Sequence, residues 1–434
     1  MANTEVLELT VERPVAGGRM LARHEGQVVF VAGAIPGERV RARVEKVTRQ
    51  TTWAAVVDVI EPSADRREPA CDLACGGSAY AHIRYDRQRQ CKAEIVADAF
   101  RRIGKIALEA PVPVAPSPEE GYRLRARLHV RQGRAGFFRE GTHALCDAGS
   151  TRQVLPATLT AVDAALAAVS DRLAECDEVI VAENVAATER VLHFVPRDGA
   201  RLDDLRGRVQ CPASVNGLTT ALRGRPLVLD GVGAVTDRSA DLFGGHEDAS
   251  IAPAEWARHA SSFFQGNRFL IGALVRRVLD LGAGDRFLDL YSGVGLFAVA
   301  LAARGGRGLA VESDAASGAD LATNARPWTE RLRVLPVPVE EAVSLPLDPA
   351  PDVVVVDPPR TGLSPAALRG LGALRAPRLV YVSCDPPTLA RDAALLIAAG
   401  YQLDTLEAFD LFPNTPHVEV VASFKLFAQR RSAP

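Results

Sequence analysis

One cysteine and one glutamate have the residue types that covalent catalysis needs. Cys384 lies within residues 382–387, where an apolar strand pattern ends and a helical pattern begins. A thiol at a helix N-terminus gains thiolate character, because the helix dipole favours negative charge there. Glu419 comes just before the last apolar run, where a carboxylate can act as a general base. The simpler alternatives are a small buried apolar side chain for Cys384 and a solvated loop carboxylate for Glu419.

A thiolate and a base together can activate a pyrimidine ring. Uracil C5 is a poor nucleophile, but addition of a thiolate at C6 turns the ring into an enolate that is nucleophilic at C5. C5 can then take a methyl group from a sulfonium donor, and a base removes the C5 proton so that the thiol is expelled. This chemistry requires one cysteine, one base and a sulfonium cofactor.

A glycine-containing turn supplies a candidate cofactor site. Residues 288–297 follow a predicted strand and open a predicted helix. Glu312 ends the next predicted strand, where an acidic residue commonly binds ribose hydroxyls. Ala298 stands where dinucleotide-binding proteins have a third glycine, which disfavours NAD. Asp289 favours S-adenosylmethionine, whose amino acid part is cationic. A purely structural turn is the alternative.

A second strand-end loop carries Asp357, which two prolines and Arg360 follow. The prolines stiffen the loop and fix the direction of the carboxylate. Enzymes that methylate nitrogen usually have an aromatic residue where this chain has Arg360, so the arginine argues against that chemistry. An ordinary rigid strand-exit loop is the alternative.

The hydrophobic pattern predicts the elements that must position these residues. Residues 5–60 alternate between apolar and polar with frequent turns, which predicts a small β-barrel. The middle of the chain shows helical patterns over 88–103 and 159–176 and an alternating strand over 122–130, followed by further antiparallel sheet over 177–250. Short apolar strands then alternate with helices, which predicts a parallel, doubly wound α/β sheet.

The fold class is therefore α/β, with three predicted domains. We place an OB-like β-barrel at residues 1–62, a central α+β domain with a cysteine segment at 63–250, and a Rossmann-like cofactor domain at 251–434. At roughly 100–200 residues per domain, a chain of 434 residues has room for this number.

Composition limits the partners. The hydrophobic fraction of 47% and the charged fraction of 24% are typical of globular proteins. The formal net charge is −2, so binding of nucleic acid would require a local concentration of basic residues. No apolar run reaches the roughly 18 residues that span a bilayer, and residues 1–10 lack a signal-peptide pattern. We expect a cytoplasmic protein without a membrane partner.

Residues 121–139 form such a basic segment, because they contain six arginines and no acid. Strand alternation places Arg123, Arg125 and Arg127 on one face. With two phenylalanines nearby, this surface suits single-stranded or looped RNA. A solvated strand face is the alternative. The remaining arginines of the segment are Arg131, Arg134 and Arg139.

These motifs resemble the bacterial RNA uracil-C5 methyltransferases, which act on 23S ribosomal RNA and tRNA. The resemblance spans nearly the whole chain. Residues 5–60 are similar to the family's RNA-binding TRAM domain, and residues 122–141 resemble its central domain. Residues 262–267 resemble its pre-catalytic signature. The Asp-Pro-Pro-Arg, Ser-Cys-Asp-Pro and His-Val-Glu segments then follow in the family's order.

The resemblance implies a role for each candidate site residue. Cys384 would be the nucleophile and Glu419 the proton acceptor. The cofactor, S-adenosylmethionine, would be contacted by Gln265, Tyr291, Glu312 and Asp357.

Two further positions follow from the same resemblance. Leu296 stands where relatives often have Asn or Thr, so a side-chain hydrogen bond would be lost there. Phe263 is a candidate for stacking on a flipped uracil, with core packing as the alternative.

The seven cysteines do not suggest a disulfide scaffold in a chain of this length. The ribosomal branch of the family often binds an iron–sulfur cluster through four cysteines. Here Cys71 and Cys75 are followed by Ser78 at the third ligand position, Cys146 lies near but not on the expected fourth position, and Cys91 has no assigned place. Because four thiolates are the usual requirement, a cluster is doubtful and we assign no metal ligands.

We predict transfer of a methyl group from S-adenosylmethionine to C5 of a uridine in structured RNA. The TRAM-like domain favours 23S ribosomal RNA over tRNA, and nothing indicates an obligate oligomer, so we expect a monomer. The alternatives are a methyltransferase acting on tRNA, or on another base or atom, and a non-catalytic RNA-binding or ribosome-assembly protein.

Overall fold

The computed structural model describes residues 5–244 and 250–427. The sequence-based expectation that residues 1–10 lack a signal peptide concerns residues 1–4 in part, and these lie outside the described range. Residues 428–434 of the expected C-terminal domain lie outside it as well. Within the described ranges, no helix combines the length and the apolar character needed to cross a membrane.

The N-terminal part is a closed barrel, which confirms the predicted one. Buried and exposed residues alternate along its first strand, so that one face fills the barrel interior. The sequence pattern missed the second strand, which pairs with both its neighbours. In the order β1-β2-β3-β5-β4, the barrel is built from β1 (Val6–Pro14), β2 (Met20–His24), β3 (Gln27–Ala32), β4 (Arg39–Val47) and β5 (Thr51–Glu61).

The central part begins with helix α1 (Tyr85–Ala99), which continues into one π-helical turn at Phe100–Gly104. Its sheet has the order β13-β12-β11-β10-β7-β8-β9. Helix α2 (Pro156–Ala168) packs on one face of this sheet. The strands introduced here are β6 (Val114–Ala115), β7 (Arg125–Arg131), β8 (Arg134–Phe138), β9 (Leu145–Cys146), β10 (Cys176–Glu183), β11 (Arg190–Pro196), β12 (Gly217–Leu222) and β13 (Arg225–Gly231).

Two predictions for this part were wrong. The helix predicted over 159–176 ends at Ala168, because Val169 leaves the helical conformation at φ −112° and ψ 25°. A 3-10 segment follows, and Cys176 is the buried first residue of β10. The sheet is also not wholly antiparallel, since β11 and β12 pair in parallel after the chain crosses back through residues 197–216.

The C-terminal sheet has the order β18-β17-β16-β19-β20-β22-β21-β6. Its first five strands are parallel, as predicted, while β22 runs antiparallel to both neighbours. A hairpin precedes it, formed by β14 (Ala234–Arg238) and β15 (Glu255–His259) around α3 (Ser239–Leu242). The sheet strands are β16 (Arg286–Leu290), β17 (Arg307–Val311), β18 (Leu332–Leu335), β19 (Val353–Val356), β20 (Arg378–Ser383), β21 (Tyr401–Phe409) and β22 (Glu419–Leu426).

Helices cover both faces of this sheet and bury it. Strand β19 contributes Val353 and Val355 to one apolar cluster and Val354 and Val356 to the other. Burial on both faces explains its uninterrupted apolar sequence. The helices are α4 (Ile271–Leu281), α5 (Leu296–Ala303), α6 (Ala315–Asn324), α7 (Val339–Ala342), α8 (Pro365–Leu374) and α9 (Pro386–Ala398).

Elements from before residue 250 help to build the C-terminal layer. Strand β6 pairs in parallel with β21 and extends the sheet. Two residues of α1, Val96 and Ala99, lie in the same apolar cluster as Leu389 and Ala393 of α9. Helix α1 of the central part therefore packs against α9, the helix that follows Cys384.

Candidate active site

The predicted site residues meet at one edge of the C-terminal sheet. Strands β16, β17, β19 and β20 are parallel, so the loops after them open at the same edge. These loops carry Tyr291, Glu312, Asp357 and Cys384. Glu419 begins the antiparallel strand β22, so its position is at this edge too.

Strand register places the cysteine opposite the glutamate. Ser383, the last residue of β20, pairs with Val420 of β22 in the antiparallel ladder. Continuing that register by one residue sets Cys384 opposite Glu419. The two residues that the sequence separates are therefore neighbours across a strand pair.

The turn after β16 has the backbone of a ligand-binding loop. Tyr291 has φ 61°, a left-handed conformation that is uncommon for a side chain of this size. Gly293 has φ 55°, and the space beside its Cα is open. The Glu312 carboxylate accepts the Gly293 amide at 2.9 Å, which ties the turn to the end of β17. Leu296 is buried as the first residue of α5.

Asp289 is fully buried beneath this turn, and its carboxylate has no hydrogen bond of ordinary geometry within the described residues. Burial raises its pKa to about 8, although Ser292 and the Ala298 amide act in the opposite direction. A buried carboxyl group without a partner is expensive unless a ligand supplies one. The residues of this turn therefore fit a cofactor with a cationic group.

Asp357 lies in the loop after β19, between the turn that follows β16 and the loop that carries Cys384. Gln265 donates a hydrogen bond to its carboxylate at 3.2 Å. Burial raises the pKa of Asp357 to about 7. Strand β19, which ends just before Asp357, lies between β16 and β20 in the sheet. The Asp357 carboxylate also raises the pKa of Asp289 and of Glu419.

Cys384 is half-buried just before helix α9, whose N-terminus Asp385 caps by accepting the Thr388 amide at 2.9 Å. The prediction of a lowered thiol pKa was wrong. Burial, followed by the Glu419 carboxylate, raises the pKa of Cys384 to about 11. The helix N-terminus is only a partial charge, whereas carboxyl groups from two other strands face the thiol.

Arg360 is the cation of this cluster, and the sequence argument did not give it a role in the reaction. Its guanidinium lowers the pKa of both Cys384 and Glu419. The sequence did contain a signal for this role of Arg360. This residue directly follows the two prolines after Asp357, and those prolines set the path of the loop at the site.

Glu419 is not the solvated carboxylate of the simpler interpretation, since its exposed fraction is 2%. Burial raises its pKa well above the ordinary value, and the neighbouring Asp357 raises it further. A carboxyl group of this kind holds a proton more tightly than a free one, which suits it to accept a proton during a reaction.

The segment before α4 contributes the other predicted contacts. The Ser262 hydroxyl donates to Asp320 at 2.6 Å, which anchors the segment to α6. Phe264 is buried under the guanidinium of Arg258, at 4.2 Å from its ring centroid. Phe263 is 60% exposed, which excludes core packing and leaves its ring free to contact a substrate.

Arg125 and Arg127 lie on one face of β7 with the intervening residues buried as predicted, whereas Arg123 precedes the strand. Arg123 donates to Gln153 at 2.6 Å and lies over the ring of Phe412, close to the loop that leads to Glu419. Arg127 is exposed and paired with Glu178. Arg125 is half-buried between the sheet and the segment before α4.

The cysteine segment does not fit a four-thiolate cluster. Cys75 and Cys146 form a disulfide with a Cα–Cα distance of 5.8 Å, so Cys146 does reach this segment. Ser78 replaces a thiolate, and its hydroxyl donates to the carbonyls of Asp72 and Cys75 at 2.9 and 2.6 Å. Cys91 is buried in the barrel core cluster.

Comparisons with known proteins agree with this geometry. A TRAM domain matches residues 3–57, and the family described as tRNA (Uracil-5-)-methyltransferase matches residues 348–425. An uncharacterized RNA methyltransferase of Streptomyces coelicolor is 34% identical over 94% of this chain and 90% of its own length. The 23S rRNA (uracil(1939)-C(5))-methyltransferase RlmD of Halomonas elongata is 32% identical over 95% of this chain and 88% of its own length.

A solved structure supports the fold as well. The Pyrococcus abyssi tRNA (uracil-54, C5)-methyltransferase, in complex with S-adenosyl-L-homocysteine, superposes with a TM-score of 0.70 at 24% identity, over 96% of this chain and 99% of that one. The chain thus belongs to the S-adenosylmethionine-dependent RNA uracil-C5 methyltransferase family.

Proposed function

We propose that this chain methylates C5 of a uridine in 23S ribosomal RNA, with Cys384 as the nucleophile and Glu419 as the proton acceptor. The observation that carries the proposal is the register of β20 and β22, which sets these two residues opposite each other. Asp357 and Arg360 complete the cluster around them. A non-catalytic RNA-binding protein would have no need for this costly arrangement of buried carboxyl groups.

The choice of RNA rests on the relatives. The relatives of Halomonas elongata and Pseudomonas putida are named for 23S rRNA, and the latter is 31% identical over 96% of this chain. tRNA is the alternative, because the matched family and the solved Pyrococcus abyssi structure are named for it. We further propose a monomer that acts in the cytoplasm, where these RNAs are found.

For cofactor binding we propose Gln265, Tyr291, Glu312 and Asp357, with Asp289 beneath them. S-adenosylmethionine supplies an electrophilic methyl group when it is bound. The Glu312 carboxylate would hold the ribose hydroxyls, and buried Asp289 would compensate the cationic amino acid part. Tyr291 would flank the site, since its ring is half-buried beside the open turn.

Proton transfer follows from the raised pKa values. The Cys384 thiol releases its proton to solvent when Sγ bonds to C6 of the uracil, while the ring electron pair moves to O4. Arg360 is placed to stabilise the thiolate and then the enolate charge. Once C5 carries the methyl group, the Glu419 carboxylate removes the C5 proton, the C6–S bond breaks, and the thiolate is regenerated. Glu419 must itself be ionised for that step.

The decisive test compares Cys384→Ala with Cys211→Ala, which changes a half-buried cysteine in the loop before β12. With a 23S rRNA transcript as substrate, we expect Cys384→Ala to lose at least about 1000-fold in 5-methyluridine formation while its affinity for S-adenosylhomocysteine is kept. Cys211→Ala should remain active. Methylation by Cys384→Ala at the native rate would overturn the mechanism.

The substrate itself is tested in cells. We expect 5-methyluridine at one site of 23S rRNA to disappear when the gene is deleted and to return with the native gene. Loss of the modification from tRNA, with 23S rRNA unchanged, would establish the alternative substrate.

We also propose the division into a TRAM barrel at 1–62, a central domain at 63–250 and a methyltransferase domain at 251–434. The closed barrel and the separate central sheet support it. Strand β6 is the exception, because it lies in the central range but extends the methyltransferase sheet.

A further inference from the structure

Arg125 has an unusual environment for a guanidinium that is largely shielded from water. It lies on the outer face of β7, beneath the segment that leads to Phe263. The only hydrogen bond that its guanidinium makes within residues 5–244 and 250–427 is to the Ser261 carbonyl, at 3.5 Å. It has no ion pair in the same ranges, and its Nε is buried without a partner. The guanidinium therefore carries a positive charge that the protein leaves uncompensated.

The carboxylates around this position are committed to other cations. Asp237 accepts from Arg258 Nε at 2.8 Å. Asp320 binds Ser262 and His259, and Glu183 pairs with Arg190 and Arg268. The charged groups that act on Arg125 are all cationic: besides burial, Arg258, Arg127 and Arg123 lower its pKa to about 10. A buried charge without a counter-ion is costly, so its retention calls for a ligand.

Ser261 adds a second free donor at the same place. Its hydroxyl is buried and makes no hydrogen bond among the described residues, although its carbonyl already contacts Arg125. Two donors without acceptors thus lie side by side. A buried guanidinium with an unpaired N–H, beside a hydroxyl that can donate, favours an anion with several acceptor oxygens.

The location of this pair indicates which anion it takes. Ser261 precedes the exposed ring of Phe263 by two residues and Gln265, which contacts Asp357, by four. We propose that the Arg125 guanidinium and the Ser261 hydroxyl bind a backbone phosphate of the RNA next to the target uridine. This inference rests on the proposed function. The planar guanidinium matches a phosphate by paired hydrogen bonds, and such contacts fix the position of a nucleotide rather than its identity.

The first test is Arg125→Met measured against Arg197→Met. Arg197 lies just after β11 of the same sheet and pairs with Asp177. Arg197→Met therefore removes the same charge as Arg125→Met, but from an arginine that already has a partner. We expect Arg125→Met to bind a 23S rRNA transcript about tenfold more weakly. The slope of log affinity against log salt should fall by about 0.7, the value for one phosphate contact in a single strand. Arg197→Met should change neither quantity by more than about twofold.

Unfolding separates this role from a structural one. If the only role of Arg125 is its structural hydrogen bond to Ser261, Arg125→Met lowers the melting temperature and leaves the affinity for RNA unchanged. That result would overturn the proposal. A phosphate site predicts an unchanged or higher melting temperature, because an uncompensated charge is removed. A loss of S-adenosylhomocysteine affinity equal to the loss for RNA would assign the guanidinium to the cofactor and also overturn it.

The second test changes the RNA instead of the protein. Short RNAs that contain the target uridine are prepared with a neutral methylphosphonate at a single linkage, on one side of the uridine or the other. We expect one linkage at which the substitution weakens binding to the native enzyme about tenfold but has little further effect on Arg125→Met. Additive losses at every linkage would contradict the phosphate site. Failure of the native enzyme to methylate the unmodified RNA would instead count against the proposed function.

Discussion

Two buried regions of this molecule treat charge in opposite ways. Beneath the loop that leads to Glu419, Lys92 of α1 pairs with Asp410, and both side chains are fully buried. At the neighbouring sheet edge, Asp289 and Glu419 are buried and Asp357 is half-buried, and all three carboxyl groups have raised pKa values. The Arg360 guanidinium lowers the pKa of Glu419. In the first region the two charges compensate each other without a ligand, although Asp410 Oδ2 makes no hydrogen bond within the described residues. The second region keeps carboxyl groups without such a partner, which is costly until a ligand arrives. Unpaired buried charge therefore marks the functional edge.

The largest effect should come from Glu419→Gln, which neutralises the buried acid but keeps its shape. We expect kcat to fall by about 100- to 10000-fold, because no base remains to take the C5 proton. The free energy of unfolding at pH 7 should rise by about 1–3 kcal/mol, because the carboxyl no longer has to hold a proton that the unfolded chain releases.

Covalent RNA adducts separate this prediction from a folding defect. With elimination blocked, the Glu419→Gln enzyme should accumulate a denaturant-stable adduct with RNA through Cys384. If Glu419→Gln is less stable than the native enzyme, or turns over at the native rate, the active-site edge does not differ from the Lys92–Asp410 region in the way we propose.

The paired region should respond with the opposite sign. Lys92→Met leaves Asp410 buried without its cation, and Lys92 also donates to the Phe412 carbonyl at 3.0 Å. We expect the free energy of unfolding to fall by about 3–5 kcal/mol. Urea denaturation of Lys425→Met is the matched control, because Lys425 pairs with Asp404 at the surface and should cost less than about 1 kcal/mol. Similar losses of unfolding free energy in Lys92→Met and Lys425→Met would show that the buried ion pair contributes no more to stability than a surface pair.

Much of the fold was predictable, because local patterns carry it. Alternation predicted the barrel, and strand–helix alternation predicted the parallel sheet with its site residues at strand ends. The thiol pKa was not predictable, since it depends on two carboxyl groups, Asp357 and Glu419, that two other strands bring to Cys384. The Cys75–Cys146 disulfide and the addition of β6 to the sheet likewise depend on contacts between distant parts of the chain.

The smallest effect that sharpens the comparison concerns Asp289, whose carboxylate lacks a full hydrogen bond within the described residues. Its pKa is about 8 in the folded protein, against an ordinary value of 3.8. The folded state therefore holds a proton that the unfolded chain releases, so native stability should fall as pH rises from about 4 to about 8 and then level off.

Asp289→Asn should flatten that decline and raise stability at pH 8 by about 1–2 kcal/mol in the absence of cofactor. Thermal unfolding across pH 4–9 measures this, with Asp352→Asn as a control at a half-buried position just before β19. The same variant should bind S-adenosylhomocysteine about tenfold more weakly, since the amide cannot compensate a cationic group. Unchanged affinity together with lower stability would mean that Asp289 is a structural acid, and that the unpaired charge at this edge does not mark the cofactor.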